Sequence, residues 1–390
     1  MKRLFALALG VVAIGACGEA GPTGPALRPG FFRNPLNVGA RGITVLTRNI
    51  YLGADLDPVL TAPPAQIPLV VAQTFAKIQA TNFPERAGRL AQEIADAAPH
   101  LVGLQEVALY RRQSPGDAVV GGTIPATTLV IDFQQLLLDS LAARGLTYTA
   151  VATHTGLDVE LPMLTGIGPA GPTFDDIRFT DHDVILARNG VRTANPLAAN
   201  YAVNLPVSVG GTTVFILRGW AAVDAEVGGV SFRFVDTHLE TQVAPAVQEA
   251  QATELITILS RGSAPLVLVG DFNSAANMFQ TRSYDLLRAA GFADVWAQLP
   301  PRDPGLTCCQ APDLLNARST FDQRLDLVLW RDPFNGETDG EDNEQRGGFR
   351  AFRVDILGEA PADRTASGLW PSDHAGVAAT LKPSRELARN

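Results

Sequence analysis

The run Leu266-Val267-Leu268-Val269-Gly270-Asp271-Phe272-Asn273 constrains this chain more than any other stretch. Four consecutive aliphatic residues fit a strand buried on both faces. Gly270 lets the backbone turn at the strand edge without a Cβ clash. Asp271 and Asn273, two apart, point to one side if the strand continues, and together they offer hard oxygen ligands and an amide donor for a phosphate. The competing reading is a strand followed by an Asx-type turn, because Gly, Asp and Asn are the usual turn residues. The rest of the chain decides between them.

A length of 390 residues accommodates one large domain or two ordinary ones. Hydrophobic residues at 46% and charged residues at 18% suit a well-buried globular protein, and 36 Gly with 27 Pro predict many turns joining short strands. The formal net charge of -9 provides no global positive field for nucleic acid or an anionic membrane. This argues against a tight nonspecific DNA binder but leaves open a nuclease that engages phosphate through a metal.

Residues 1–17 have the pattern of an export signal. Lys2 and Arg3 precede the apolar run 4–14, which is too short to span a bilayer. The run ends Ile14-Gly15-Ala16-Cys17, which resembles the bacterial lipoprotein signal, with Cys17 as the lipidated first residue of the mature chain. A plain cleaved signal, and hence a secreted protein, is the alternative. Losing Lys2 and Arg3 takes the formal charge from -9 to -11. Residues 18–40 are rich in Gly and Pro and read as a flexible tether, leaving 41–390 as the folded domain. Membrane attachment is then expected through the lipid anchor only.

Cys308 and Cys309 are adjacent. Consecutive Cα atoms lie about 3.8 Å apart across a trans peptide, below the roughly 4.4–6.8 Å usual for disulfides, so a bridge between them is expected to be strained. An exported compartment still permits one. A soft-metal site lacks an accompanying His-rich or second Cys cluster.

Along the chain, 43–49 is a β-branched alternating segment and reads as the first core strand. Helical periodicity marks 69–79 and 85–97, with Pro84 at the start of the second and Pro99 after its end. The segment 101–106 is a short buried strand tipped by Glu106, 112–125 reads as a surface loop, and 132–144 is a helix ended by Gly145. Strands are expected at 148–154, 183–188, 214–217 and 231–235, with 156–179 as a Gly- and Pro-containing excursion near the site. The segment 243–261 is helical, 283–290 is a short helix, 292–296 is an edge piece and 376–381 is the last strand. The segment 322–330 reads as a strand with a carboxylate in its middle, and the acidic run 332–346 as a solvated hairpin tip without calcium-loop spacing.

There is no P-loop, no His-Glu-x-x-His and no Gly-x-Ser-x-Gly. What recurs is a polar residue at the end of an apolar strand: Asn49, Glu106, His238, Asp271 with Asn273, and Asp373 with His374. Singly such residues cap and turn, but loops at one edge of a sheet are where a rigid scaffold displays catalytic groups. In order, Leu46-Thr47-Arg48-Asn49, Gly103-Leu104-Gln105-Glu106-Val107, Asp236-Thr237-His238-Leu239, Gly270-Asp271-Phe272-Asn273, Arg324-Leu325-Asp326-Leu327-Val328 and Ser372-Asp373-His374 resemble the endonuclease/exonuclease/phosphatase superfamily of metal-dependent phosphoesterases.

The resemblance implies an α/β fold, a four-layered α/β sandwich of two packed mixed sheets flanked by helices. It puts Asn49, Glu106 and Asp373 at a divalent cation, Mg²⁺ with Mn²⁺ as the alternative. Asp326 would orient and charge-stabilise His374, Asp271 would position or deprotonate the attacking water, and Asn273 and His238 would donate to phosphoryl oxygens. Asp271 and His374 both remain candidates for the base. Glu160, Asp181 and Asp183 are candidates to support His238, while His154, His182 and Arg188 have no assigned role.

The expected activity is hydrolysis of a phosphodiester, with a nuclease first and a sphingomyelinase-like phospholipase C or phosphomonoesterase as alternatives. The substrate partner is accordingly nucleic acid or phospholipid, and no protein partner is implied. A catalytically idle binding module is the contrasting class, against which every expected catalytic position holds a competent residue.

Overall fold

A computed structural model describes residues 42–299, 304–332 and 348–383. The export segment, Cys17, the tether and the acidic run beyond Asp332 lie outside the described residues. The chain enters through β1 (Ile43–Asn49), followed by α1 (Asp57–Leu60), α2 (Ile67–Ala80) and α3 (Phe83–Ala97). Strands β2 (Leu101–Gln105), β3 (Leu109–Gln113) and β4 (Thr128–Asp132) lead to α4 (Phe133–Ala142) and the long pair β5 (Tyr148–Gly168) and β6 (Gly171–Arg188). Then come β7 (Arg192–Asn200), β8 (Leu205–Val209), β9 (Thr212–Ile216), β10 (Gly219–Val227) and β11 (Val230–His238). The chain continues with α5 (Pro245–Leu259), β12 (Leu266–Asp271), α6 (Ser283–Ala289) and β13 (Ala293–Asp294), and closes with β14 (Asp326–Arg331), β15 (Phe349–Leu357) and β16 (Gly376–Pro383).

Two mixed sheets result. One runs β15-β16-β1-β2-β6-β3-β4, with β5 added along β6, and the other runs β13-β14-β12-β11-β10-β7. Only β1 with β2 and β11 with β12 pair in parallel within them. Side-chain alternation explains the layering. In β12, Val267 and Val269 join Val45, Phe234 and Ala379 between the sheets, while Leu266 and Leu268 face outward against Leu255 and Leu259 of α5. On the opposite flank, Leu46, Val102 and Leu104 meet Leu90 and Ile94 of α3. Each such buried aliphatic side chain contributes about 1.5–3 kcal/mol. The order helix, sheet, sheet, helix is the expected four-layered sandwich.

Helix α3 buries Phe83, Ala87, Leu90, Ala91 and Ile94 at helical spacing, with proline in its first turn. The Asp132 side chain accepts from Gln135 N at 3.0 Å and caps α4.

Two expectations are corrected. The excursion expected over 156–179 is strand: β5 and β6 pair from Tyr148↔Arg188 to Gly168↔Gly171. Pro162 is accommodated because β5 pairs with β6 alone among the described strands, so it is an edge strand. The carboxylate expected inside a strand over 322–330 instead opens one, since β14 begins at Asp326. Cys308 and Cys309 are joined to each other by a disulfide. Strands β3, β4, β7, β8, β10 and β15 were not anticipated.

Candidate active site

The fold gathers the strand-end residues at one end of both sheets. His238, Asp271 and Asp326 occupy one row across β11, β12 and β14, through the pairings His238↔Asp271 and Asp271↔Asp326. In the other sheet Asn49 pairs with Gln105, and Glu106 follows. The chain turns sharply beyond these ends: Tyr51, Glu106 and Asn273 have φ of 57°, 60° and 48°. Such left-handed backbone is costly for non-glycine residues and persists where the surroundings enforce it. Gly270 has φ 151°, and a Cβ there would overlap the Thr237 carbonyl oxygen, so the residue preceding Asp271 must be glycine.

Asp271 is central. Its Oδ2 lies 3.7 Å from His374 Nε2 and 3.5 Å from His238 Nε2, and it accepts from Asn49 Nδ2 at 3.1 Å. Its Oδ1 accepts from Asn273 N at 2.9 Å, the Asx-type turn that sequence alone suggested. The turn and the site are therefore the same feature. His374 Nδ1 stands 2.8 Å from Asp326 Oδ2. Asn273 Nδ2 lies 3.2 Å from His238 Nε2 and donates to the Leu239 carbonyl at 3.1 Å. Arg218 Nη1 donates to His238 Nδ1 at 2.9 Å.

On the other side, Asn49 Nδ2 donates to Glu106 Oε1 at 3.0 Å and Leu52 N donates to Glu106 Oε2 at 2.9 Å. Tyr51 N donates to Asn49 Oδ1 at 3.0 Å, which fixes the amide orientation. Glu106 and Asp373 together line a cleft of about 400 Å³.

Burial and charge set the protonation pattern. Burial pushes the Asp373 carboxyl up to about 7, reinforced by Glu106 and Asp271. Burial alone would lower the pKa of His374, but the Asp326 and Asp271 carboxylates outweigh it and hold the imidazolium well above the ordinary range. Burial raises Asp271, yet His374 and His238 outweigh it and keep that carboxylate below its usual range. The resulting pair is a buried imidazolium beside an ionised carboxylate.

A supporting shell was missed from sequence. Arg48, buried in β1, forms a bidentate pair with Glu93 at 2.9 and 3.1 Å and donates to the His374 carbonyl oxygen. Arg86, on the buried face of α3, donates to the carbonyls of Ile50, Tyr51, Thr81 and Pro371, clamping the loops that carry Asn49 and Asp373. An arginine within an otherwise buried strand was the available signal for Arg48; nothing local marked Arg86. Of the candidates to support His238, Asp183 lies 3.7 Å from its Nδ1, Asp181 reaches it only through Arg218 at 3.9 Å, and Glu160 instead accepts from Ala126 N. His154 is buried between Asp183 and Asn200, His182 contacts the Val107 carbonyl, and Arg188 donates to the Ala98 carbonyl.

The donor set fits a hard divalent cation at Glu106 and Asp373. It is all oxygen, and the two carboxylates line the same cleft. Asn49 borders this position and reaches Glu106 through its amide nitrogen. Asp271, Asp326 and His374 form a second group whose ligand atoms lie within 4.8 Å of one another.

The family model for the endonuclease/exonuclease/phosphatase family matches residues 49–374. No curated protein matches the chain. Among solved structures, an endonuclease/exonuclease/phosphatase family protein from Leptotrichia buccalis C-1013-b is similar at 15% identity, covering 87% of this chain and 99% of that one, with a TM-score of 0.50. A family protein from Bacteroides thetaiotaomicron is similar at 15% identity, covering 90% and 98%, with a TM-score of 0.51. A mannosyl-6-phosphatase of Bacteroides thetaiotaomicron VPI-5482 is similar at 16% identity, covering 87% and 99%, with a TM-score of 0.49. Matched from the first strand-end amide to the last strand-end histidine, this chain belongs to the endonuclease/exonuclease/phosphatase family and is a phosphoesterase of that type.

Proposed function

We propose that the chain hydrolyses a phosphodiester by in-line attack of water, with Mg²⁺ as its cation, Mn²⁺ substituting. The observation that carries this reading is the contact set around Asp271: two imidazoles and an amide within 3.7 Å of one carboxylate oxygen. Glu106 and Asp373 would hold the cation, with Asn49 at its border. When bound, the cation neutralises phosphoryl charge and stabilises the leaving oxygen.

The chain's own residues supply the remainder. Asp326 keeps His374 protonated with Nε2 toward the cleft, so His374 donates to a phosphoryl oxygen and is not the base. Asp271, ionised, orients the attacking water and accepts its proton. Asn273 through Nδ2 and His238 through Nε2 donate to phosphoryl oxygens. No covalent intermediate is required.

We also propose export through residues 1–17 and lipid attachment at Cys17, with secretion of a cleaved chain as the alternative; the apolar run and its terminal cysteine support this.

The test is release of p-nitrophenol from bis(p-nitrophenyl) phosphate, a diester with neither nucleobase nor alkyl chain. Turnover should vanish in EDTA and return with Mg²⁺. Undiminished turnover in EDTA would refute the reading.

A further inference from the structure

The adjacent cysteines lie against His374. Cys308 forms antiparallel bridges with both Gln323 and His374, and the two sulfurs and a ring nitrogen of His374 all lie within 4.8 Å of one another. Along the sequence the pair has no histidine near it; the fold supplies one. Cys309 is exposed and lines the cleft that holds Glu106 and Asp373, whereas Cys308 is buried.

The backbone that carries the pair is held independently of the S–S bond. Thr307 N and Cys308 N donate to the Gln323 carbonyl at 2.7 and 3.0 Å, and Ala375 N donates to the Thr307 carbonyl at 2.7 Å. Gln310 N donates to the Asp373 carbonyl at 2.8 Å, and Thr320 Oγ1 donates to the Cys309 carbonyl at 2.8 Å. Opening the disulfide therefore leaves both sulfurs beside His374.

In the disulfide the sulfurs ligate no metal, because the thiolate is the ligand form. A dithiol opens it. One thiolate of the reagent attacks the exposed Cys309 sulfur, and Cys308 leaves as a thiolate and takes up a proton. The second thiol of the reagent then displaces Cys309 from the mixed disulfide. The S–S bond of the protein is reduced, that of the reagent forms, and two electrons and two protons pass from the dithiol to the cysteines.

Two thiolates and an imidazole are the donor set of a soft, tetrahedral cation such as Zn²⁺. With Zn–S of about 2.3 Å and Zn–N of about 2.0–2.1 Å, ligand atoms in a tetrahedron lie about 3.5–3.8 Å apart, so donors already within 4.8 Å need only a small adjustment. Asp326 holds His374 Nδ1 at 2.8 Å, which leaves Nε2 to ligate. A carboxylate on the far ring nitrogen is the usual support of a zinc-ligating histidine.

We propose that the reduced Cys308 and Cys309 form a Zn²⁺ site with His374, that the disulfide closes this site, and that metal bound there stops catalysis by occupying the nitrogen through which His374 donates to the phosphoryl oxygen. The site stands on the contacts above, while its effect on turnover rests on the phosphoesterase reading. The all-oxygen position at Glu106 and Asp373 and this sulfur-rich one differ in ligand softness, so Mg²⁺ and Zn²⁺ sort between them.

The test uses the full chain with Cys17→Ser, which leaves Cys308 and Cys309 as its only cysteines, either as the disulfide or reduced with dithiothreitol that is then removed. Cd²⁺ serves as the probe, since its bonds to thiolate absorb in the ultraviolet. The reduced chain should bind one Cd²⁺ with that absorption, and the disulfide form should show none. His374→Ala should weaken binding at least about tenfold, the lower end of what losing even an outer partner of a metal costs, and Cys309→Ser, at an exposed position, should do the same. No thiolate absorption in the reduced chain, or an affinity unchanged in either variant, overturns the site. Turnover of bis(p-nitrophenyl) phosphate is then followed with Mg²⁺ in excess. Equimolar Zn²⁺ should stop the reduced chain and leave the disulfide form at its starting rate; equal inhibition of both forms, or of neither, overturns the control of activity. Absence of turnover in both forms before Zn²⁺ is added overturns the phosphoesterase reading, and the Cd²⁺ result still decides the site.

Discussion

Asp326 Oδ2 lies 2.8 Å from His374 Nδ1, and this contact decides which ring nitrogen faces the cleft. Asp326 opens β14 and His374 stands just before β16, so strands of different sheets hold the pair in register. Replacing the carboxylate with an amide removes the charge while keeping the shape. Asp326→Asn should lower kcat by about 10²–10⁴-fold, the range expected when a buried carboxylate stops fixing an imidazole. The pH profile should also move. The pKa of His374 is raised, so its charged form contributes stability fully below the unfolded value near 6.5, and this contribution is lost as pH rises through the folded value. Without Asp326 the imidazolium loses its proton at lower pH, and the alkaline limb of kcat/KM should shift down. A profile unchanged from the parent would remove His374 from the proposed role.

Glu93 and Arg48 pair bidentately in the interior, and Arg48 also donates to the His374 carbonyl. Glu93→Ala leaves a buried guanidinium without its partner, so urea unfolding should show a loss of about 3–5 kcal/mol. Activity per folded molecule should fall as well, because the His374 backbone loses a fixed support.

Gly270 tests the backbone directly. Gly270→Ala places a Cβ against the Thr237 carbonyl at φ 151°, so β12 must shift or Asp271 must move. A loss of at least about 2 kcal/mol in denaturant unfolding is expected. Loss of metal-dependent turnover should accompany it.

Cation binding and proton binding should compete. Burial beside Glu106 pushes Asp373 up to about 7, above its unfolded value near 3.9. Without the cation the folded state therefore binds more protons than the unfolded one between roughly pH 4 and 7, and its stability falls as pH rises across that window. Mg²⁺ at about 100 times its Kd should add roughly 2.7 kcal/mol at pH 8 and markedly less at pH 5. Thermal unfolding with and without Mg²⁺ at the two pH values measures the difference.

Much of the site was legible because strand ends carry local signals. Apolar runs ending in Asn49, Glu106, His238 and Asp271 combine strand periodicity with a polar stop, and Pro84 and Pro99 bracket α3 without tertiary information. What was missed depends on partners distant in sequence. Strand β10 is alanine-rich at Ala221, Ala222 and Ala225 and carries Asp224, so its apolar contrast is weak; Arg233 of β11 pairs with that aspartate at 2.7 Å. The length of β5 was hidden by Gly and Pro residues that an edge strand tolerates. Arg86 acts on four carbonyls scattered from Ile50 to Pro371, so no single stretch could announce it.

The central claim is that the strand-end constellation performs the chemistry. The most direct measurement is kcat for bis(p-nitrophenyl) phosphate with Mg²⁺, comparing the parent chain with His374→Ala whose far-ultraviolet circular dichroism matches the parent. The account predicts a fall of about 10³-fold or more, from the loss of a charged donor in the transition state. A folded variant that retains turnover within about threefold of the parent would contradict it.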